Sequence, residues 1–97
     1  MPQVRFAPRA LRDLERLREF LRPKSPDVAK RAAAAIKKAV QALGQQPQIG
    51  RPADNLEPGH RELLIDFGDS GYIALYRYDG GDFVTLLTIR HQKEVGY

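Results

Sequence analysis

The sequence predicts an α+β fold in the order β-α-α-β-β-β, an antiparallel sheet packed on a helical hairpin. Three observations predict it. Apolar residues recur at spacings of three and four from Ala10 to Leu43, the period of helices buried along one face. From Glu62 to Arg90 they alternate with other residues, the period of half-buried strands. Two glycine-containing quartets, Gly68-Asp69-Ser70-Gly71 and Asp79-Gly80-Gly81-Asp82, divide that second region into three strands joined by hairpin turns.

Gln3-Val4-Arg5-Phe6 alternates polar and apolar residues and reads as a first strand, ended by Pro8. From Arg9 to about Arg22, Ala10, Leu11, Leu14, Leu17 and Leu21 form one apolar stripe, with Arg9, Arg12, Asp13, Arg16 and Glu19 off it. Pro23 stops this helix. Ser25-Pro26-Asp27 restarts it, with a capping hydroxyl, a proline at the first helical position and a carboxylate near the positive end of the helix dipole. Val28, Ala32, Ile36, Ala39, Val40 and Leu43 make the second stripe, and Gly44 is placed to close the helix in a left-handed conformation. So short a turn makes the two helices antiparallel.

Residues 45–59 contain three prolines and two glycines and read as a loop, long for a small domain, with Ile49 and Leu56 as its expected anchors. In the strands that follow, Leu63, Ile65 and Phe67 share one face, and Tyr72, Ala74, Tyr76 and Tyr78 alternate against Ile73, Leu75 and Arg77. Phe83 to Arg90 completes the sheet.

A chain of 97 residues buries one modest core, so residues 1–97 are expected to form a single domain. Its 42% hydrophobic and 29% charged content is that of a globular protein. The longest apolar run, Ala32 to Ile36, is far short of a membrane span. The start of the chain lacks the features of a secretory signal, and there is no cysteine, which together lead to the expectation of a cytoplasmic protein. The net charge of +4 is unevenly spread: residues 1–51 carry 12 Lys and Arg against 4 Asp and Glu, and residues 52–97 carry 4 against 8. The basic part would attract nucleic acid or an acidic partner, or would simply solvate two helices.

Two histidines without metal-ligand spacing, turn glycines that match no phosphate-binding loop, and no serine nucleophile motif leave no expected metal or cofactor. What remains is a basic and aromatic set: Arg61, Arg77, Arg90, His91, Lys93 and Tyr97. Arg77 lies among apolar neighbours on its strand and needs a partner, either Asp66 or another carboxylate, or a ligand in a groove. Arg90 and His91 follow the last strand, where a guanidinium can fork a phosphate and an imidazole can transfer protons.

Four segments read together resemble the RelE/ParE toxin superfamily. Ala7-Pro8-Arg9-Ala10-Leu11-Arg12-Asp13-Leu14 looks like the start of the first helix of ParE-type toxins, and Pro47-Gln48-Ile49-Gly50-Arg51-Pro52 like the loop after their second helix. Arg61-Glu62-Leu63-Leu64-Ile65 and Tyr72-Ile73-Ala74-Leu75-Tyr76-Arg77-Tyr78 resemble the next two strands, and Ile89-Arg90-His91 sits where the last strand ends. The resemblance implies a type II toxin held inactive by a cognate antitoxin. RelE-like members cleave messenger RNA on the ribosome without metal, whereas ParE-like members inhibit DNA gyrase and are not enzymes.

Arg90 and the terminal Glu94-Val95-Gly96-Tyr97 resemble the end of the ribonucleases, for which Arg61, Arg77, Arg90, His91 and Tyr97 would be the catalytic set. Against that, the position of a RelE-like arginine holds Ile73, and Arg61 to Phe67 contains no lysine. Metal-free cleavage needs concentrated positive charge at the phosphorane. The expectation is therefore a ParE-like gyrase inhibitor with Arg12, Arg16, Arg61, Arg77, Arg90, His91 and Lys93 shared between target and antitoxin, the alternatives being a ribosome-dependent endoribonuclease and a non-toxic binding module of the same fold.

Overall fold

Two helices lie on one face of a five-stranded sheet in the computed structural model, which describes residues 2–53, 55–68 and 71–92. The elements are β1 (Gln3–Phe6), α1 (Pro8–Leu21), α2 (Pro26–Gln45), β2 (Arg51–Pro52), β3 (His60–Ile65), β4 (Tyr72–Tyr78) and β5 (Phe83–His91). The α+β architecture and the helical hairpin stand as the sequence predicts, with β2 as an addition inside the long loop. The sheet order is β1-β5-β4-β3-β2, antiparallel except where β1 meets β5. The hairpin carries the chain across to the far edge of the sheet, and the strands that march back bring β5 alongside β1 in the same direction. Among the described residues no helix is long and apolar enough to cross a membrane.

Proline at the start of each helix fixes φ where no amide hydrogen bond is lost. Ser25 caps α2 by accepting from the Val28 N–H at 3.3 Å. Gly44 does not close this helix. It stays helical, where a Cβ would meet Val4 and the Pro2 carbonyl only at ordinary contact distance, and the chain leaves the helix after Gln45, just ahead of Pro47.

The core is built from Ala10 and Leu17 of α1, Ala32, Ile36 and Leu43 of α2, and the helix-facing side chains Ile65, Tyr72, Ala74, Tyr76, Val84, Leu86 and Ile89 of the sheet. Leu14 and Leu21 pack against it, but Leu11 is 55% exposed. One residue on from Ala10 turns the helix by about 100°, which carries Leu11 out of the stripe that Ala10, Leu14, Leu17 and Leu21 already fill.

In β5 the alternation breaks. Leu86 pairs with Tyr76 and Thr88 pairs with Leu75, so Leu87 has no partner opposite and forms a β-bulge. Val84 and Leu86 face the helices before it, and Ile89 after it. β1 ends at Phe6, so among the described residues the rest of β5 has β4 on one side and no strand on the other. There α1 supplies the partner: Asp13 accepts a hydrogen bond from the Ile89 N–H at 3.0 Å. A side chain thus replaces the missing strand at an otherwise open edge.

Candidate functional site

Directly paired residues share a sheet face, so the register assigns each candidate to a side. On the face away from the helices, Arg5, Thr85, Arg77 and His60 form one cross-strand row. Thr88, Leu75, Glu62 and Arg51 form the next, and Arg90, Ile73 and Leu64 the third. Arg61, paired with Tyr76, and His91, paired with Tyr72, belong to the helix face.

The sequence-derived set is therefore split. Arg61 turns under the loop after α2, where its Nη1 donates to the Gly50 carbonyl at 2.6 Å and the Gln48 carbonyl at 3.3 Å. His91 sets its ring edge-on to Tyr72, with centroids 5.7 Å apart. Arg77 is on the opposite face, and its carboxylate partner is Asp79 at 3.6 Å rather than Asp66. Arg90 is half-buried beside Ile73, four residues along β4 from Arg77, or about 13 Å at the usual rise per strand residue. Arg12 and Arg16 are exposed on α1, with Arg16 3.9 Å from Asp13. Lys93 and Tyr97 lie outside the described residues. Among the described residues no cluster of His, Asp and Glu has the makings of a metal site.

The long loop is held by side chains other than Ile49 and Leu56, which are 48% and 38% exposed. Tyr76, fully buried, donates its hydroxyl proton to the Pro47 carbonyl at 2.8 Å and accepts from the Gly50 N–H at 2.9 Å. Burial pushes the Tyr76 phenol above the ordinary tyrosine value, while the Gly50 N–H and the Arg61 charge pull it partly back. A methyl group at Gly50 would meet the Glu62 carbonyl oxygen at 2.6 Å and the Tyr76 hydroxyl at 2.7 Å, so only glycine fits. Ala53, 5% exposed, and its N–H bond to the His60 carbonyl at 3.0 Å anchor the far side. Sequence reasoning missed this network. The available signal was a glycine between Ile49 and Arg51 in a loop bracketed by prolines.

Residues 4–96 match the family described as ParE toxin of type II toxin–antitoxin system, parDE. The chain is 38% identical over 95 residues to Toxin RelE3 of Caulobacter vibrioides, covering 97% of this chain and 98% of that one. It is similar in fold to a structure of the chromosomal ParDE system from P. aeruginosa, with a TM-score of 0.74, 23% identity and 94% and 96% of the two chains covered. A structure of the toxin–antitoxin complex RelBE2 from Mycobacterium tuberculosis aligns with a TM-score of 0.59 and 28% identity, over 95% of this chain and 100% of that one.

Proposed function

Because the chain belongs to the ParE toxin family of type II toxin–antitoxin systems, we propose that it arrests growth by occupying a protein target, DNA gyrase, and not by cleaving RNA. The observation that carries this reading is the division of the candidate ribonuclease residues by the sheet. Arg61 and His91 are on one face, Arg77 and Arg90 on the other, and Arg61 is committed to two loop carbonyls. A metal-free phosphoryl-transfer site needs its cations converging within hydrogen-bond reach of one phosphate. The row that holds Arg90 is otherwise Ile73 and Leu64, apolar where the ribonuclease resemblance would place charge. Inhibition by surface binding needs no such convergence, and arginines such as Arg12, Arg16, Arg77 and Arg90 then each contribute part of the energy.

A cognate antitoxin is the second partner, consistent with toxin–antitoxin complexes among its structural relatives. The excess of cations in residues 1–51 would steer an acidic antitoxin segment to the helical hairpin, so association is expected to slow as salt is raised. Salt-independent association would remove that electrostatic part.

The experiment is DNA supercoiling by purified gyrase run beside cleavage of ribosome-bound message. Inhibition of supercoiling with intact message is expected. A second reading, endoribonuclease activity, is favoured by the RelE name of a relative that matches almost the whole chain. Message cut at defined positions, lost on replacing Arg90 or removing Tyr97, would establish it in place of gyrase inhibition. A chain that left growth unaffected would be a binding module without toxicity.

A further inference from the structure

We infer that the sheet face turned away from the helices is a second contact surface, which grips the phosphate backbone of the duplex DNA on which gyrase works. The choice of DNA rests on the reading that gyrase is the target.

Dividing the charge along the sequence conceals this surface. Of the described carboxylates in the acidic half, Glu57, Asp66, Asp79 and Asp82 all fall outside the strands. The five strands together hold one carboxylate, Glu62, against five arginines. Register puts Arg5, Arg51, Arg77 and Arg90 on the outer face with Glu62, and only Arg61 on the helix side. The two helices are less biased, with eight Lys and Arg against four Asp and Glu.

Three of these cations run in a line across the sheet. Arg5 on β1, Arg77 on β4 and Arg51 on β2 are successively two strands apart, about 10 Å at the usual strand spacing, so the line extends about 20 Å. That is the length of about six base pairs of duplex. Arg5 is held from two sides: its Nε donates to the Thr85 hydroxyl at 2.9 Å and its guanidinium lies over the Phe83 ring, 4.4 Å from the centroid. Its terminal amino groups are left to fork a phosphate, and Thr85 keeps its own proton to donate. On the same face Thr88, 5% exposed, buries a hydroxyl with no hydrogen-bond partner among the described residues, a donor for an arriving acceptor. Arg51 and Arg77 are paired with Glu62 and Asp79 at 3.2 and 3.6 Å, but both arginines are exposed, and surface pairs of this kind are weak enough for a phosphate to compete.

The occupant follows from what this end of the face lacks. A seated protein segment draws its binding energy from apolar anchors, and the row of Arg5, Thr85, Arg77 and His60 offers none. Phe83 beside it lies under Arg5, and Ile73 and Leu64 are two rows away. A phosphate backbone needs only cations and donors. Spread as they are, the arginines hold several phosphates and converge on none, so the backbone is gripped without being cut.

The test titrates purified toxin onto a fluorescent duplex of about 20 base pairs, read by anisotropy as salt is raised. Three phosphate contacts give an expected slope of log K against log salt of about −2.7. Arg5→Gln/Arg77→Gln is expected to bind at least about tenfold more weakly, with a slope shallower by about 2, and Arg77→Gln alone to show about half that change in slope. Lys37→Gln/Lys38→Gln removes the same charge from exposed positions of α2 and is expected to bind as the wild type does, with thermal unfolding confirming that every variant is folded. Equal weakening in the two double variants, no binding of the duplex, or tighter binding of single-stranded RNA or of polyglutamate overturns the inference. Supercoiling assays keep the two readings apart: DNA binding without inhibition of gyrase refutes the target and leaves the surface, whereas inhibition without DNA binding refutes the surface and leaves the target.

Discussion

Removing one oxygen from the interior isolates the contribution of the loop network. Tyr76→Phe keeps the ring in the core and deletes the hydroxyl that satisfies the Gly50 N–H and the Pro47 carbonyl. Gly50 is buried, so its amide would lose its partner without access to bulk water, at a cost of about 1–3 kcal/mol. Pro47 is only half-buried and water can replace part of its bond, adding about 0.5–1.5 kcal/mol. The expected loss is roughly 2–4 kcal/mol, which for a domain of this size lowers Tm by roughly 10–30 °C. Differential scanning calorimetry on Tyr76→Phe beside Tyr78→Phe measures it, because Tyr78 is half-buried and should change stability by less than about 0.5 kcal/mol. A Tyr76→Phe melting temperature within about 3 °C of the wild type would show that the loop is held by packing alone and refute the reasoning.

Three further outcomes are expected. Ile36→Ala, at a position 6% exposed in the core, should cost about 2–5 kcal/mol in chemical denaturation, while Leu11→Ala should be nearly neutral; equal effects would mean the α1 stripe is misplaced. Asp13→Ala leaves the Ile89 N–H without its partner and should cost about 1–3 kcal/mol, with faster hydrogen exchange at Ile89 as the local signature and unchanged exchange there as the refutation. Burial raises both Tyr72 and Tyr76 above the unfolded tyrosine value, so the folded state retains their protons and stability is full below about pH 10 and falls as pH climbs through the raised values. Denaturant titrations from pH 9 to 12 should show that decline, shallower in Tyr76→Phe; a flat profile would contradict it.

What was legible in the sequence follows from what periodicity encodes. The helix stripes apart from Leu11, the strand faces of Leu63 and Ile65 and of Tyr72, Ala74 and Tyr76, and the serine cap of α2 are one-dimensional signals of burial and local bonding, and they stand. The parallel pairing of β1, the short β2 and the loop network depend on residues 9 to 80 positions apart, where spacing carries no information. Hydrophobicity alone misassigned Ile49 and Leu56 as anchors, because the loop is held by hydrogen bonds to a tyrosine and an arginine. Similarly, Arg61, Arg77, Arg90 and His91 looked like one cluster because strand ends converge in sequence, yet the alternation of the pleat and the bulge at Leu87 distribute them to two faces.

The bulge at Leu87 also sets the parity of everything after it. With the extra residue, Arg90 faces away from the helices and His91 lies over Tyr72. Were Leu87 instead to pair regularly opposite Leu75, the residues after it would change sides, sending Arg90 toward the core and His91 outward, because side chains alternate strictly along a strand. Two homologues of equal length, one with the bulge and one without, can thus share Arg-His in an alignment while presenting opposite chemistry on each face. For proteins of this fold, a bulge in the last strand is as much a determinant of surface character as the identity of the residues at its end.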